Sequence, residues 1–165
     1  MRAFHSTWTL FLLLALPAAA QNTLGYTVFL RGTPVGHQDV SVRSDAEGLT
    51  ISGQGQIADP INILTRKAEV RYRADLSPAS LVIESRIGGV DVTLQTMFSD
   101  GMAVSQGMQG GVPIAATDMV FPQSVMLPNV FLGAHAVLAR RLAGAAPGAE
   151  FHAFVGPGTG AQVRS

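Results

Sequence analysis

The chain has 165 residues, 47% of them hydrophobic and 13% charged, with 11 basic and 11 acidic side chains and no cysteine. Balanced charge supplies no long-range field for nucleic acid or an anionic membrane surface. The missing thiols exclude disulfides, a lipid-anchored N-terminal cysteine and thiolate chemistry, while 18 glycines against 7% aromatics favour a turn-rich β-protein over a helical bundle.

Residues 1–20 read as a secretory signal peptide. A basic start (Arg2, His5) leads into the apolar run Leu10–Leu16, followed by Pro17-Ala18-Ala19-Ala20. Small residues at Ala18 and Ala20 suit cleavage after Ala20. The run is shorter than the ~20 apolar residues of a membrane-spanning helix. The expected product is therefore exported, to the periplasm or the medium, with no integral membrane segment. Losing Arg2 leaves it one charge negative. What remains is one domain, large enough to bury a core.

From Leu24 to about Val120 the hydrophobic pattern has period two. Leu24, Tyr26, Val28 and Leu30 open it. Val35, Val40 and Val42 follow, then Leu49, Ile51, Gly53, Gly55 and Ile57. In the fourth run Leu64, Ala68, Val70 and Tyr72 face one way, and Thr65, Lys67, Glu69, Arg71 and Arg73 the other. Leu81, Ile83 and Ile87 form a fifth. Val90, Val92, Leu94 and Phe98 form a sixth, Met102, Val104 and Met108 a seventh, and Val112 to Val120 a weaker eighth. Turn chemistry separates them at Gly32-Thr33-Pro34, Asp45–Gly48, Asp75–Pro78, Gly88-Gly89, Asp100-Gly101 and Gly110-Gly111. Loops this short force sequential antiparallel pairing. The expectation is a mainly β protein, a single curved antiparallel meander of about eight or nine strands, half-barrel-like and apolar on one face.

The expected cover is an amphipathic helix near residues 128–143. Val130, Phe131, Ala134, Val137, Leu138 and Leu142 recur at helical spacing, Arg140 and Arg141 suit its C-terminal end, and Gly144 stops it. Ala145–Ala149 reads as a linker and Glu150–Val155 as a ninth strand. Residues 156–165 read as a glycine-rich tail or the truncated end of something longer.

No motif specifies a reaction, so no catalytic residue, metal or cofactor is assigned. Gly53-Gln54-Gly55-Gln56-Ile57-Ala58 has dinucleotide-loop spacing, but Asp59-Pro60 interrupts the helix that such a loop needs. The glycines fall at strand spacing, where they mark bends or close backbone approach. Gly156–Gly160 lacks the Lys-Ser/Thr ending of a phosphate loop. His37, His135 and His152 have no metal-ligand spacing, and there is no G-x-S-x-G elbow. Asp45 and Glu47 read as solvated turn residues. His37, Asp39 and Arg43 read as a polar cross-strand ladder. Arg66 is the anomaly, because strict alternation puts it on the apolar side, where an unpaired guanidinium is costly. It either contacts an anionic group inside a cavity, sits on a bulge near Thr65, or reaches water at the sheet rim. Arg66, Tyr72 and His135 are the candidate ligand contacts.

Four segments carry a resemblance. They are Val28-Phe29-Leu30-Arg31-Gly32-Thr33-Pro34-Val35-Gly36, Leu49-Thr50-Ile51-Ser52-Gly53-Gln54-Gly55, Lys67-Ala68-Glu69-Val70-Arg71-Tyr72 and Leu127-Pro128-Asn129-Val130-Phe131. Together they resemble the N-terminal β-domain of secreted bacterial α/β-hydrolase-like proteins, and more distantly curled-sheet periplasmic proteins. The resemblance implies a non-catalytic domain, since the nucleophile of such hydrolases lies in a later domain. The expected function is an exported β-domain that binds an apolar or amphipathic small molecule or packs on a partner domain, with no nucleic-acid partner. The alternatives are the front part of a secreted hydrolase and an envelope scaffold that pairs through a sheet edge.

Overall fold

The computed structural model describes residues 20–164, and side chains from 22 to 158. The signal-peptide reading therefore lies outside the described residues, apart from Ala20. Eight strands follow one another without interruption: β1 (Ala20–Leu30), β2 (Thr33–Asp45), β3 (Gly48–Ile57), β4 (Ile63–Arg73), β5 (Pro78–Ile87), β6 (Val90–Ser99), β7 (Met102–Gln109) and β8 (Val112–Met119). Each pairs antiparallel with the next, in the order β1 to β8, and the sheet is not closed. This is the meander that alternation and turn chemistry predict. The β6–β7 turn shows why. Asp100 and Gly101 both take positive φ, 50° and 75°. That is the geometry whose twist matches the flanking strands. Asp45 fixes the β2–β3 turn by accepting the N–H groups of Glu47 and Gly48 at 3.0 and 3.3 Å.

The inner face carries the core. Val40, Ile51, Ala68, Val70, Leu81 and Ala103 are fully buried there. The cover differs from the expected helix. Residues 124–134 form an extended strap that contains the short strand β9 (Val125–Met126) and a 3-10 turn (Leu132–Ala134). The helix α1 runs only from His135 to Ala143, and Val137 is its one buried residue. Val125, Met126, Val130 and Phe131 of the strap enter the core. Pro128 explains the difference, because proline lacks the N–H that a helix interior needs and holds the residue before it extended. Helical spacing at Val130 and Phe131 was incidental to their burial.

Two further corrections concern strands. The expected tail folds back, and β11 (Thr159–Arg164) pairs antiparallel with β10 (Glu150–Gly156), which runs parallel to β9. In β7 the phase is inverted. Ala103 and Ser105 face inward, while Val104 and Met108 are exposed. Phe98 lies opposite Ala103 and meets Phe154 edge-on at 5.0 Å, so neighbouring strands fill the space and β7 contributes only small groups.

Close approach of the strap requires Gly53 in β3. A Cβ on Gly53 would sit 2.8 Å from the Phe131 ring and 2.4 Å from the Asp39 carbonyl oxygen. Gly53 is therefore the docking position for Phe131, while a Cβ on Gly55 would instead sit 2.3 Å from the His37 carbonyl oxygen of β2.

Candidate functional site at the uncovered inner margin

Inner-face residues fall into rows across the sheet, set by register. One row runs Gln38, Gly55, Thr65, Ser85, Val92, Gln109 and Val112. The next runs Ile57, Ile63, Ile87 and Val90. Gln38, Thr65 and Ser85 are buried polar residues on the core face. Two of them hold the strap. The Val130 carbonyl accepts the Gln38 side-chain amide at 2.8 Å and the Thr65 hydroxyl at 3.0 Å, and the Leu132 N–H donates to Gln38 Oε1 at 2.9 Å. Gln38 thus pairs with the strap backbone as a further strand would, satisfying groups that burial would otherwise penalise. The Ser85 hydroxyl is buried with no hydrogen-bond partner.

Beyond this polar row the cover ends. Ile57 is buried, but Ile87 is 37% exposed, Val90 40% and Val112 66%. These three β-branched residues lie on the face that the strap seals over the middle of the sheet. They form an apolar margin at the β5–β6 turn and the start of β8.

The structure does not bring the sequence-predicted contacts together. Arg66 is the bulged residue of β4. Thr65 pairs with Ser85 and Lys67 with Glu84, which leaves Arg66 unmatched and turned to the outside. Its guanidinium is solvent-exposed and meets Asp91 at 3.1 Å. Arg86 binds the same carboxylate at 2.8 and 3.0 Å. Hydrogen bonding from Arg86, assisted by Arg66, holds the Asp91 carboxyl below its usual range despite some desolvation. Arg66 also lines an open cleft of about 320 Å³ on the outer face with Asp39, Ser41, Gln54 and Lys67. An inward Arg66 was one of the readings of the alternation, and the bulge at this position removes it.

Tyr72 is buried under the strap, where its hydroxyl oxygen accepts the Met126 N–H at 2.7 Å. Burial pushes the phenol up to about 12, against the opposing pull of that N–H and of the Arg141 guanidinium. His135 opens α1 on the exposed side, its Nδ1 3.1 Å from the Leu132 carbonyl. Tyr72 is thus a strap anchor and His135 a helix-start residue.

Sequence reasoning missed Gln38, Thr65 and Ser85. For Gln38 and Ser85 the signal was a polar residue in phase with Val40 and Ile83, whereas Thr65 is out of phase with Val70 and only the bulge at Arg66 turns it inward. The exposure of Val90 and Val112 had no sequence signal, because it depends on where the strap stops. Among the described residues no group of three histidines or carboxylates converges to hold a metal, and no helix is long and apolar enough to cross a membrane. Comparison of the chain with protein-family models, with curated proteins and with solved structures finds no match.

Proposed function

We propose that this chain is an exported, non-catalytic β-domain that binds an apolar or amphipathic ligand along its uncovered inner margin. One observation carries the reading. The inner face is sealed by the strap over the middle of the sheet, yet Ile87, Val90 and Val112 continue the same face into solvent. Exposed aliphatic surface gains roughly 25 cal/mol per Å² on burial. Contiguous apolar exposure rimmed by polar residues marks binding surfaces. Gln109 on β7 sits within the margin, opposite both Val92 and Val112, and the Arg86–Asp91 pair lies behind it on the outer face. An acyl chain or a hydrophobic ring suits such an open margin.

The test is native mass spectrometry of protein purified from a cell-envelope fraction, followed by titration with a fluorescent acyl probe. The expected result is a co-purifying small molecule, and saturable probe binding that Val90→Asp and Val112→Asp each weaken about tenfold or more, as lost apolar contacts worth at least ~1.4 kcal/mol require. Bare protein with no probe binding would overturn the reading.

The resemblance to the N-terminal β-domains of secreted α/β-hydrolase-like proteins favours a second reading, in which the same margin packs on a partner domain. In that case acyl probes do not bind, and Val90→Asp instead abolishes a hetero-complex.

A further inference from the structure

The two edges of the sheet differ in how they are protected. β8 carries Pro113 and Asp118, and the Asp118 carboxylate accepts the N–H of Gly158 at 3.2 Å, bringing the turn of the β10–β11 hairpin against that edge. Proline, charge and a covering loop are the devices that keep sheet edges from pairing. Among the described residues β1 has none of them. It is 11 residues long, it contains no charged residue and no proline, and among the described residues it pairs with β2 alone. Its single irregularity is the bulge at Val28/Phe29, close to its end. Leu24 points to the inner face opposite Val40, yet it is 45% exposed.

We infer that β1 is a self-association edge, and that two copies of this chain pair β1 to β1, antiparallel, across a two-fold axis. Three observations select a second copy as the occupant. An edge offering a regular row of backbone N–H and C=O groups is satisfied by another extended strand. An uncharged strand placed antiparallel to itself meets no like-charge repulsion. With the axis at Gly25, Thr23 lies opposite Thr27 of the second copy and Leu24 opposite Tyr26, both favourable cross-strand pairs. A Cβ at Gly25 would meet nothing within 4 Å among the described residues, so the sheet face at the axis is open. The protected β8 edge disfavours β1-to-β8 contact, which would propagate into filaments, whereas β1-to-β1 contact closes at two. This inference stands apart from the ligand reading, since the margin at Val90 and Val112 lies at the other side of the sheet.

The experiment is sedimentation velocity with light scattering. The chain is expressed from its natural start and purified in whatever processed form results, with its N-terminus read by mass spectrometry. The expected result is a particle of twice the chain mass. Thr27→Lys, or Thr23→Lys should the first fail to keep the wild-type circular dichroism, gives single-chain mass with the fold retained. Thr117→Lys on β8 leaves the dimer intact. A wild-type particle of single-chain mass would overturn the inference, whether residues 1–19 are retained or removed. So would an open-ended series of sizes, or dissociation by Thr117→Lys but not by the β1 variants.

Discussion

Gly53, Tyr72 and Arg66 show how much single positions decide. Gly53 is the floor of the Phe131 site, so Gly53→Ala forces either the ring or the Asp39 backbone to move. Overpacking of this kind costs about 1–3 kcal/mol, read as a lower urea midpoint at unchanged m-value. Tyr72→Phe removes the acceptor of the buried Met126 N–H. An orphaned buried donor costs about 1–3 kcal/mol. The same residue makes stability depend on pH. Its phenol ionises near 10 when unfolded and near 12 when folded. The proton is therefore held more tightly in the fold. The contribution is complete below pH 10 and is lost as pH rises towards 12. Urea midpoints on either side of pH 10 should fall for the wild type and stay flatter for Tyr72→Phe. Arg66→Ala, by contrast, removes an exposed ion pair, and such pairs contribute little. It should leave both the urea midpoint and acyl-probe binding unchanged, and a loss of probe binding would return Arg66 to the site.

At the level of elements, the strap and α1 form one unit held by side chains that reach backbone carbonyls. Arg141 donates to the carbonyls of Gln123 and Leu76, tying the helix end to the start of the strap and to the β4–β5 turn. Partial burial lowers the guanidinium pKa from its ordinary value, and the residue is still partly in water. Arg141→Ala should cost about 1 kcal/mol, and hydrogen exchange should rise across residues 135–143 while β3 to β5 stay protected. The eight strands and their turns were legible because period-two alternation and Gly-Gly or Asp-Gly pairs are local properties of the chain. The strap was not, because Val130 and Phe131 are buried by contacts with Gln38, Gly53 and Thr65, some 65 to 92 residues away. The phase of β7 was misread for a related reason. Alternation ranks residues by size, and Ala103 is small because Phe98 and Phe154 occupy its space. Arg66 was legible as an anomaly, and the bulge that resolves it lies in the pairing of β4 with β5. None of the three candidate ligand contacts lies on the margin, since its exposure is set by the length of the strap.

The described residues form an open eight-stranded sheet with two edge strands, a second sheet of β9 to β11, and a cover too short for the inner face of the first. The apolar margin directs attention to burial of surface by something else. The chain contains no cysteine, so a single introduced thiol reports one position. Labelling rates of Val90→Cys, Val112→Cys and Ala103→Cys with a small thiol reagent therefore test the central claim directly. The account predicts that the thiols at 90 and 112 react at rates near those of a free thiol and slow when an acyl ligand is added, while the thiol at 103 reacts only as the protein unfolds. Equal protection at all three positions without ligand would contradict it, because the inner face would then be sealed from end to end.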